Sequence, residues 1–175
     1  QPLPEGLRPE TLAVREAVAR SQWGEHSEAL YMTSSFVQSD CESAARRFAN
    51  EEPGYTYTRT ANPTVSSFER RLAAMEGTEC AVATSTGMSA ILLMALTVLK
   101  SGDHVVASQS MFGSTLKLLG SEMARFGVET TFVSQTDLQS WEAAIRPNTR
   151  LLFAETPTNP LGDLCDIAAL AQIAH

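Results

Sequence analysis

Apolar and polar positions follow a regular order along the second half of the chain. Short apolar runs that are typical of strands occur at 80–83, 104–108, 128–133 and 150–154. Apolar residues with helical spacing predict helices over 91–99, 114–126, 138–145 and 167–174. Strands that alternate with helices in this way predict an α/β fold, with a mainly parallel sheet and helices on both of its faces.

The first part of the chain is patterned less regularly. Three prolines among residues 1–10 predict an irregular arm, and no period persists over residues 21–60. Helices are predicted over 11–20, over 40–48 with Asp40 as the cap, and from a cap at Thr64 or Ser66 to Gly77. A long irregular segment is usually functional or an oligomer contact. We therefore divide the chain into an N-terminal arm and inter-subunit segment, 1–63, and the first part of a larger domain, 64–175.

The composition limits which partners the protein is expected to bind and in which cellular compartment it is expected to occur. The 175 residues carry a formal net charge of −7, so nucleic acid and anionic membrane surfaces are not expected partners. The cysteines Cys41, Cys80 and Cys165 form no C-x-x-C pair, which suggests neither a disulfide framework nor a zinc site. No apolar run reaches the roughly 20 residues of a membrane-spanning helix, and no signal-peptide pattern is present. We expect a soluble cytoplasmic protein.

The segment 84–90 (TSTGMSA) reads as a tight turn between a strand and a helix. The first N–H groups of a helix lack partners inside it, and the helix dipole favours an anion there. Gly87 would let a phosphate approach the backbone, and the hydroxyls of Ser85, Thr86 and Ser89 could donate further hydrogen bonds. The alternative is that Ser85 or Thr86 simply caps a core helix.

Three loops leave the predicted strands at their carboxyl ends, where ligands bind in parallel sheets: 84–88, 109–113 and 155–160. Arg59 could hold a phosphate, Tyr57 could donate to it, Phe112 could lie against a planar ring, and Asn159 could bond a ring substituent. The alternatives are a surface salt bridge for Arg59, a core position for Phe112 and turn chemistry for Asn159. Together these residues describe a flat, phosphorylated, aromatic cofactor.

Other common chemistries lack their motifs. The sequence has no G-x-G-x-x-G, no P-loop and no G-x-S-x-G nucleophile elbow. His26, His104 and His175 are scattered. A metal pair built from His175 with Asp163 or Asp166 is possible, but these residues more often form a solvated helix face. We expect no metal.

Four motifs in order resemble the pyridoxal-phosphate-dependent enzymes of cysteine and methionine metabolism, which have the aspartate-aminotransferase-like fold type I. They are YTRTANPT at 57–64, TGMSA at 86–90, Phe112-Gly113, and ETPTNP at 155–160. This family includes cystathionine γ-synthases, cystathionine and methionine γ-lyases and homoserine-ester sulfhydrylases. Phe112 favours the sulfhydrylases that use O-succinylhomoserine, because most relatives have a tyrosine there.

The resemblance implies roles for individual residues. The backbone of Gly87 and Met88, with Thr86, would bind the cofactor phosphate, and Phe112 would stack on the pyridine ring. Asn159 would bond the ring's phenolic oxygen, and Glu155 would support that loop. Tyr57 and Arg59 would bind the phosphate of a neighbouring subunit, which implies a homodimer or homotetramer.

Two groups essential to the family have no counterpart here: the Schiff-base lysine and the aspartate that pairs with the pyridine nitrogen. Because the helix over 167–174 has no stop signal, we expect the natural sequence to continue to both groups and this segment alone to be inactive. For the complete enzyme the resemblance implies a transferase of methionine biosynthesis and transsulfuration. It would convert O-succinylhomoserine or O-acetylhomoserine and sulfide to homocysteine, with Tyr57 assisting proton movement.

Alternatives within the family are cystathionine γ-synthase and a cystathionine or methionine γ-lyase. For this segment alone, the alternative is a non-catalytic piece that requires the rest of the chain.

Overall fold

The computed structural model describes residues 6–175 of the chain. These residues form two compact units, one ending at Ala83 and the other spanning Thr84–His175. The irregular arm predicted over 1–10 lies partly outside the described residues, because 1–5 are not among them. In the described part of that arm, residues 6–8 are irregular as predicted, whereas the prediction is wrong from Pro9, where a helix begins.

The second unit is built on a parallel sheet, as predicted. Strand β1 (His104–Ser108) lies between β2 (Glu129–Val133) and β3 (Thr149–Phe153), and both neighbours run parallel to it. All five residues of β1 are buried, whereas β2 and β3 are more exposed. The carboxyl ends of β1 and β3 therefore meet at the same edge of the sheet.

One helix precedes β1, and a helix follows each of the three strands of this unit. They are α4 (Gly87–Val98), α5 (Gly113–Lys117), α6 (Leu138–Ala144) and α7 (Ile167–Ala174), numbered after the three helices of the first unit. The helix predicted over 114–126 starts one residue early and changes geometry, becoming a π-helix at Leu118–Glu122 and a 3₁₀-helix at Met123–Phe126. It ends at Gly127, whose φ of 76° is accessible to glycine without a steric penalty.

Alternation along β1 places apolar side chains on both faces of the sheet. Val105 and Ala107 belong to a core cluster with residues of α4 and the α5 region, whereas Val106 packs with Trp141 of α6 and Leu170 of α7. The prediction of helices on both faces is therefore confirmed, and the fold class with it.

The strand predicted at 80–83 is wrong. These residues are irregular, and the Ala83 N–H donates to the Glu69 carboxylate at 2.8 Å instead of to a strand. A short apolar run becomes a strand only where a neighbouring strand accepts its backbone groups, and among the described residues none pairs with 80–83.

The first unit contains α1 (Pro9–Arg15), α2 (Cys41–Phe48) and α3 (Pro63–Glu76). The cap of α2 is confirmed, since the Asp40 side chain accepts from the Ser43 N–H at 2.7 Å. The helix predicted over 11–20 is displaced, because Pro9 is pre-organised for a first helical position and the backbone is already extended at Glu16.

The predicted cap of α3 is also wrong. Neither Thr64 nor Ser66 caps it; the Asn62 carboxamide accepts from the Thr64 N–H at 2.8 Å, and Pro63 occupies the first position. The predicted end at Gly77 is confirmed by a left-handed φ of 66°. Within residues 6–175, no helix is long and apolar enough to cross a membrane.

Candidate functional site

Two of the three predicted loops are joined by one carboxylate at the carboxyl edge of the sheet. Glu155, two residues after β3, accepts from the Phe112 N–H through Oε2 at 3.0 Å. Its Oε1 accepts from the Asn159 N–H at 2.7 Å. Glu155 therefore holds the loop after β1 against the loop after β3, and fixes the backbone that carries Phe112 and Asn159.

The third loop forms the start of α4. Thr86 is the N-cap: its Oγ1 accepts from the Ser89 N–H at 3.0 Å and lies 2.9 Å from the Ser89 hydroxyl. The predicted cap is confirmed, but it satisfies only one of the first amides. Gly87 and Met88 supply the first two N–H groups of the helix, which helix geometry leaves without intrahelical acceptors.

The space in front of Gly87 is open. A Cβ added at this glycine would meet no atom within 4 Å beyond its immediate neighbours. Gly87, the first residue of α4, is also exposed. An anionic group is favoured there by the helix dipole.

Met88 connects this helix start to the other loops. The Thr115 hydroxyl of α5 lies 3.8 Å from the Met88 sulfur, and Phe112 immediately precedes α5. The structure thus brings together six of the predicted site residues: Thr86, Gly87, Met88, Phe112, Glu155 and Asn159. The contact through Thr115 was not predicted, because nothing local in the sequence connects positions 88 and 115.

Phe112 lies outside the buried clusters. Its side chain is 45% exposed, so the interpretation of Phe112 as a plain core residue does not describe its environment. An exposed ring whose backbone is fixed by Glu155 is available to stack on a planar ligand.

Tyr57 and Arg59 belong to the first unit and form a pair of their own. The Arg59 guanidinium carbon lies 5.1 Å from the centroid of the Tyr57 ring, a cation–π distance. Arg59 takes part in none of the ion pairs formed among the described residues, although a surface salt bridge was one interpretation of it. Its charge is therefore available to an anionic ligand.

The two lysines of the sequence lie outside the three candidate loops, 84–88, 109–113 and 155–160. Lys100 follows the far end of α4, whose 12 residues correspond to about 18 Å. Lys117 lies 3.8 Å from the Glu122 carboxylate and is 73% exposed.

The candidate metal ligands and the buried histidine lie outside the three candidate loops. The described residues contain no cluster of three or more potential metal ligands, including around His175, Asp163 and Asp166. His104 is fully buried, with its ring nitrogens 2.8 Å from the hydroxyls of Thr149 and Thr131. Burial lowers the pKa of His104, and the nearby charge of Arg146 lowers it further.

Known proteins are similar to this chain in sequence and in fold. The family model described as "Cys/Met metabolism PLP-dependent enzyme" matches residues 10–175. An O-succinylhomoserine sulfhydrylase from Pseudomonas aeruginosa is 53% identical over 98% of this chain and 42% of its own length. An L-methionine gamma-lyase from Fusobacterium nucleatum is 42% identical over 94% of this chain and 42% of its own length.

Solved structures agree with these matches. A protein described as an O-acetylhomoserine (thiol)-lyase from Campylobacter jejuni, which carries a pyridoxyl-lysine monophosphate, superposes with a TM-score of 0.85 at 31% identity. A cystathionine gamma-lyase from Lactobacillus plantarum gives a TM-score of 0.81 at 32% identity. They cover 97% and 96% of this chain, which spans 42% of each.

Proposed function

Because this chain belongs to the Cys/Met metabolism PLP-dependent enzymes, we propose that its carboxyl-edge site holds pyridoxal phosphate, the cofactor of that family, for a γ-replacement reaction. The observation that carries the proposal is the start of α4, whose first two N–H groups, those of Gly87 and Met88, lack intrahelical acceptors, together with the two loops that Glu155 joins.

The phosphate would bind to the amides of Gly87 and Met88, with the hydroxyl of Thr86 nearby. A phosphate suits this position because it accepts several hydrogen bonds and its charge is stabilised by the helix dipole. The exposure of Gly87 and the empty space at its Cβ position support this assignment.

The rest of the cofactor would lie against the two loops that Glu155 joins. Phe112 would cover the ring face, and the Asn159 side chain would bond a ring oxygen. Both positions depend on Glu155, whose two carboxylate oxygens accept from the backbone N–H groups of these residues. When bound, the cofactor withdraws electrons from the substrate carbons next to the amine.

Tyr57 and Arg59 would bind the phosphate of a second copy of the protein, which makes the complete enzyme at least a homodimer. Two observations support this role: Tyr57 is 41% exposed, and Arg59 forms no ion pair with any residue in the described range 6–175. Tyr57 would also assist proton movement near the leaving group, as a phenol can when it lies within hydrogen-bond reach.

In the complete reaction the Cγ–O bond of O-succinylhomoserine would break, succinate would leave, and sulfide would add at Cγ, giving homocysteine in methionine biosynthesis. The sulfhydrylases among the relatives support this assignment. It requires a lysine and an aspartate that this sequence does not supply at the site, so we expect the 175-residue chain alone to be inactive.

The cofactor site can be tested in the chain itself by titration with pyridoxal phosphate, followed by the NMR shifts of the Gly87 and Met88 amides. Gly87→Pro removes one N–H donor at a position where proline suits a helix, and Gly87→Ala keeps it. We expect amide shifts for pyridoxal phosphate but not for pyridoxal, and about tenfold weaker binding in Gly87→Pro. Shifts confined to other residues would contradict the proposal.

The reaction needs a longer protein. We define the chimera as this chain joined to the downstream remainder of the P. aeruginosa relative. Supplied with O-succinylhomoserine and sulfide, it should form homocysteine. Release of methanethiol from methionine, without homocysteine formation, would assign the γ-lyase reaction instead.

A further inference from the structure

The segment that carries Tyr57 and Arg59 is attached to a second strand-like segment. Tyr57 pairs with Ser35 in an isolated antiparallel bridge, the Phe36 N–H donates to the Thr56 carbonyl at 3.2 Å, and the Thr58 N–H donates to the Ser34 carbonyl at 2.9 Å. Two backbone bonds alone do not make a stable hairpin in water.

Gln38 closes the other end of this pairing. Its Nε2 donates to two carbonyls, that of Phe36 at 2.8 Å and that of Tyr55 at 3.1 Å. One side chain thus joins both segments two residues before Tyr57. The rings of Phe36 and Tyr55 also pack against each other, with centroids 5.5 Å apart.

Arg47 of α2 fixes Gln38 in turn. Its guanidinium donates to the Gln38 Oε1 at 2.7 Å and lies close over Gly54, where an added Cβ would come within 2.6 Å of the Arg47 Nε. Gly54 has a φ of 156°, so a side chain there would meet both backbone strain and Arg47.

Glu52 completes the network. It accepts from Arg47 at 3.0 Å, from Arg46 at 3.0 Å and from the Ser43 hydroxyl at 2.9 Å. The Arg47 and Glu52 side chains are each 25% exposed. Hydrogen bonds from Ser43, then from Arg46 and Arg47, lower the pKa of Glu52. A shielded, branched ion pair of this kind holds its geometry better than a single exposed pair.

We propose that Gln38, Arg47 and Glu52 form a positioning network that connects α2 to the 54–58 segment and so sets the place of Tyr57 and Arg59. This rests on the proposed function in one respect, namely that Tyr57 and Arg59 bind phosphate. The network touches neither residue, and therefore acts through the backbone.

Gln38→Glu is the sharpest variant. Glutamate has the same shape and still accepts from Arg47, but it replaces two donated hydrogen bonds with a carboxylate facing two carbonyl oxygens. In the chain as it stands, we expect amide hydrogen exchange at Thr58 to accelerate about tenfold, while the amides of α2 stay protected. Arg47→Lys, which keeps the charge and loses the planar fork, should act in the same direction.

Glu52→Gln and Glu51→Gln form a matched pair, because Glu51 is exposed and its side chain makes none of these contacts. Glu52→Gln should accelerate exchange at Thr58, and Glu51→Gln should not. If neither Gln38→Glu nor Glu52→Gln changes exchange at Thr58 while α2 stays intact, the positioning proposal is wrong.

The chimera separates this proposal from the proposed function. There Gln38→Glu should weaken pyridoxal phosphate binding several-fold. It should also lower kcat at saturating cofactor, because the displaced Tyr57 would assist proton movement less well. If exchange at Thr58 accelerates but cofactor affinity does not change, the network positions the segment as proposed, and the phosphate role of Tyr57 and Arg59 is the part that fails.

Discussion

The two compact units of this chain differ in the interactions that stabilise each of them internally. In Thr84–His175, side chains such as Val105, Leu119 and Trp141 are completely buried. Among residues 6–83, Ala73 is the single buried apolar residue, while Trp23 and Met32 are 83% and 95% exposed. The second unit therefore has a hydrophobic core, and the first does not have one of comparable size.

Polar contacts take the place of a core in the first unit. Asn62, 4% exposed, donates to the Tyr31 carbonyl and the Thr58 hydroxyl, both at 3.0 Å, and caps α3 as well. Each such bond adds only about 0.5–1.5 kcal/mol net, whereas burying a large apolar side chain adds about 1.5–3 kcal/mol. Polar contacts can therefore fix the position of a segment in the fold while adding little to its stability.

The largest effect should come from removing the core of the second unit. Trp141→Ala leaves a cavity between α6, α7 and the sheet, and should lower the free energy of unfolding by about 3–5 kcal/mol. Chemical denaturation followed by circular dichroism measures this loss.

The matched control is Trp23→Ala, in which the other tryptophan, 83% exposed, is removed from the first unit. We expect a change within about 0.5 kcal/mol. Equal losses for the two variants would contradict the contrast between the units.

The next largest effect should come from removing the hydrogen bonds by which Glu155 joins two loops of the second unit. Glu155→Ala removes both acceptors that join the loops, and should cost about 1–2 kcal/mol and accelerate amide exchange at Phe112 and Asn159. Glu155→Gln keeps one acceptor and should have about half of this effect. Glu142→Gln, an exposed carboxylate on α6, serves as the control. Unchanged exchange at both amides would show that Glu155 does not join the loops.

The sequence predicts best where structure depends on local pattern. The strand β1 and the helices α6 and α7 follow from the pattern of apolar residues. The helix α2 follows from its capping residue Asp40, because a cap and its amide are only two or three residues apart. The strand predicted at 80–83 fails for the opposite reason, since pairing depends on a partner distant in sequence.

The candidate site was predictable by residue but not by geometry. The motifs identify Glu155 and Asn159, yet nothing local indicates that Glu155 also accepts from Phe112, which lies 43 residues earlier. The hydrogen bond from Gln38 to the Tyr55 carbonyl, 17 residues away, likewise cannot be predicted from the local sequence. Polar side chains that bridge separate segments leave no periodic pattern.

A smaller effect is expected from the helix caps, and it should differ between the units. Thr86→Ala removes the hydroxyl that accepts from the Ser89 N–H, and should cost about 1 kcal/mol while α4 persists on its core contacts. Thr86→Ser should retain the stability. Asp40→Ala should instead reduce the helicity of α2, whose one buried residue is Ser43. Amide exchange within α4 and within α2 measures both effects. If α2 keeps its full helicity in Asp40→Ala, the expected difference between the two units is wrong.

The smallest effect should be a change in pH dependence at His104, which joins β1 to Thr131 of β2 and Thr149 of β3. Burial holds the folded-state pKa of this imidazole below its unfolded value of about 6.5. The folded state then binds fewer protons than the unfolded state, so the contribution of neutral His104 is complete above about pH 6.5 and is lost as the pH falls toward the lower folded pKa. His104→Gln should make unfolding free energy less dependent on pH between about 7 and 5. The same slope in the variant and in the unsubstituted chain would mean that His104 does not titrate differently in the folded chain.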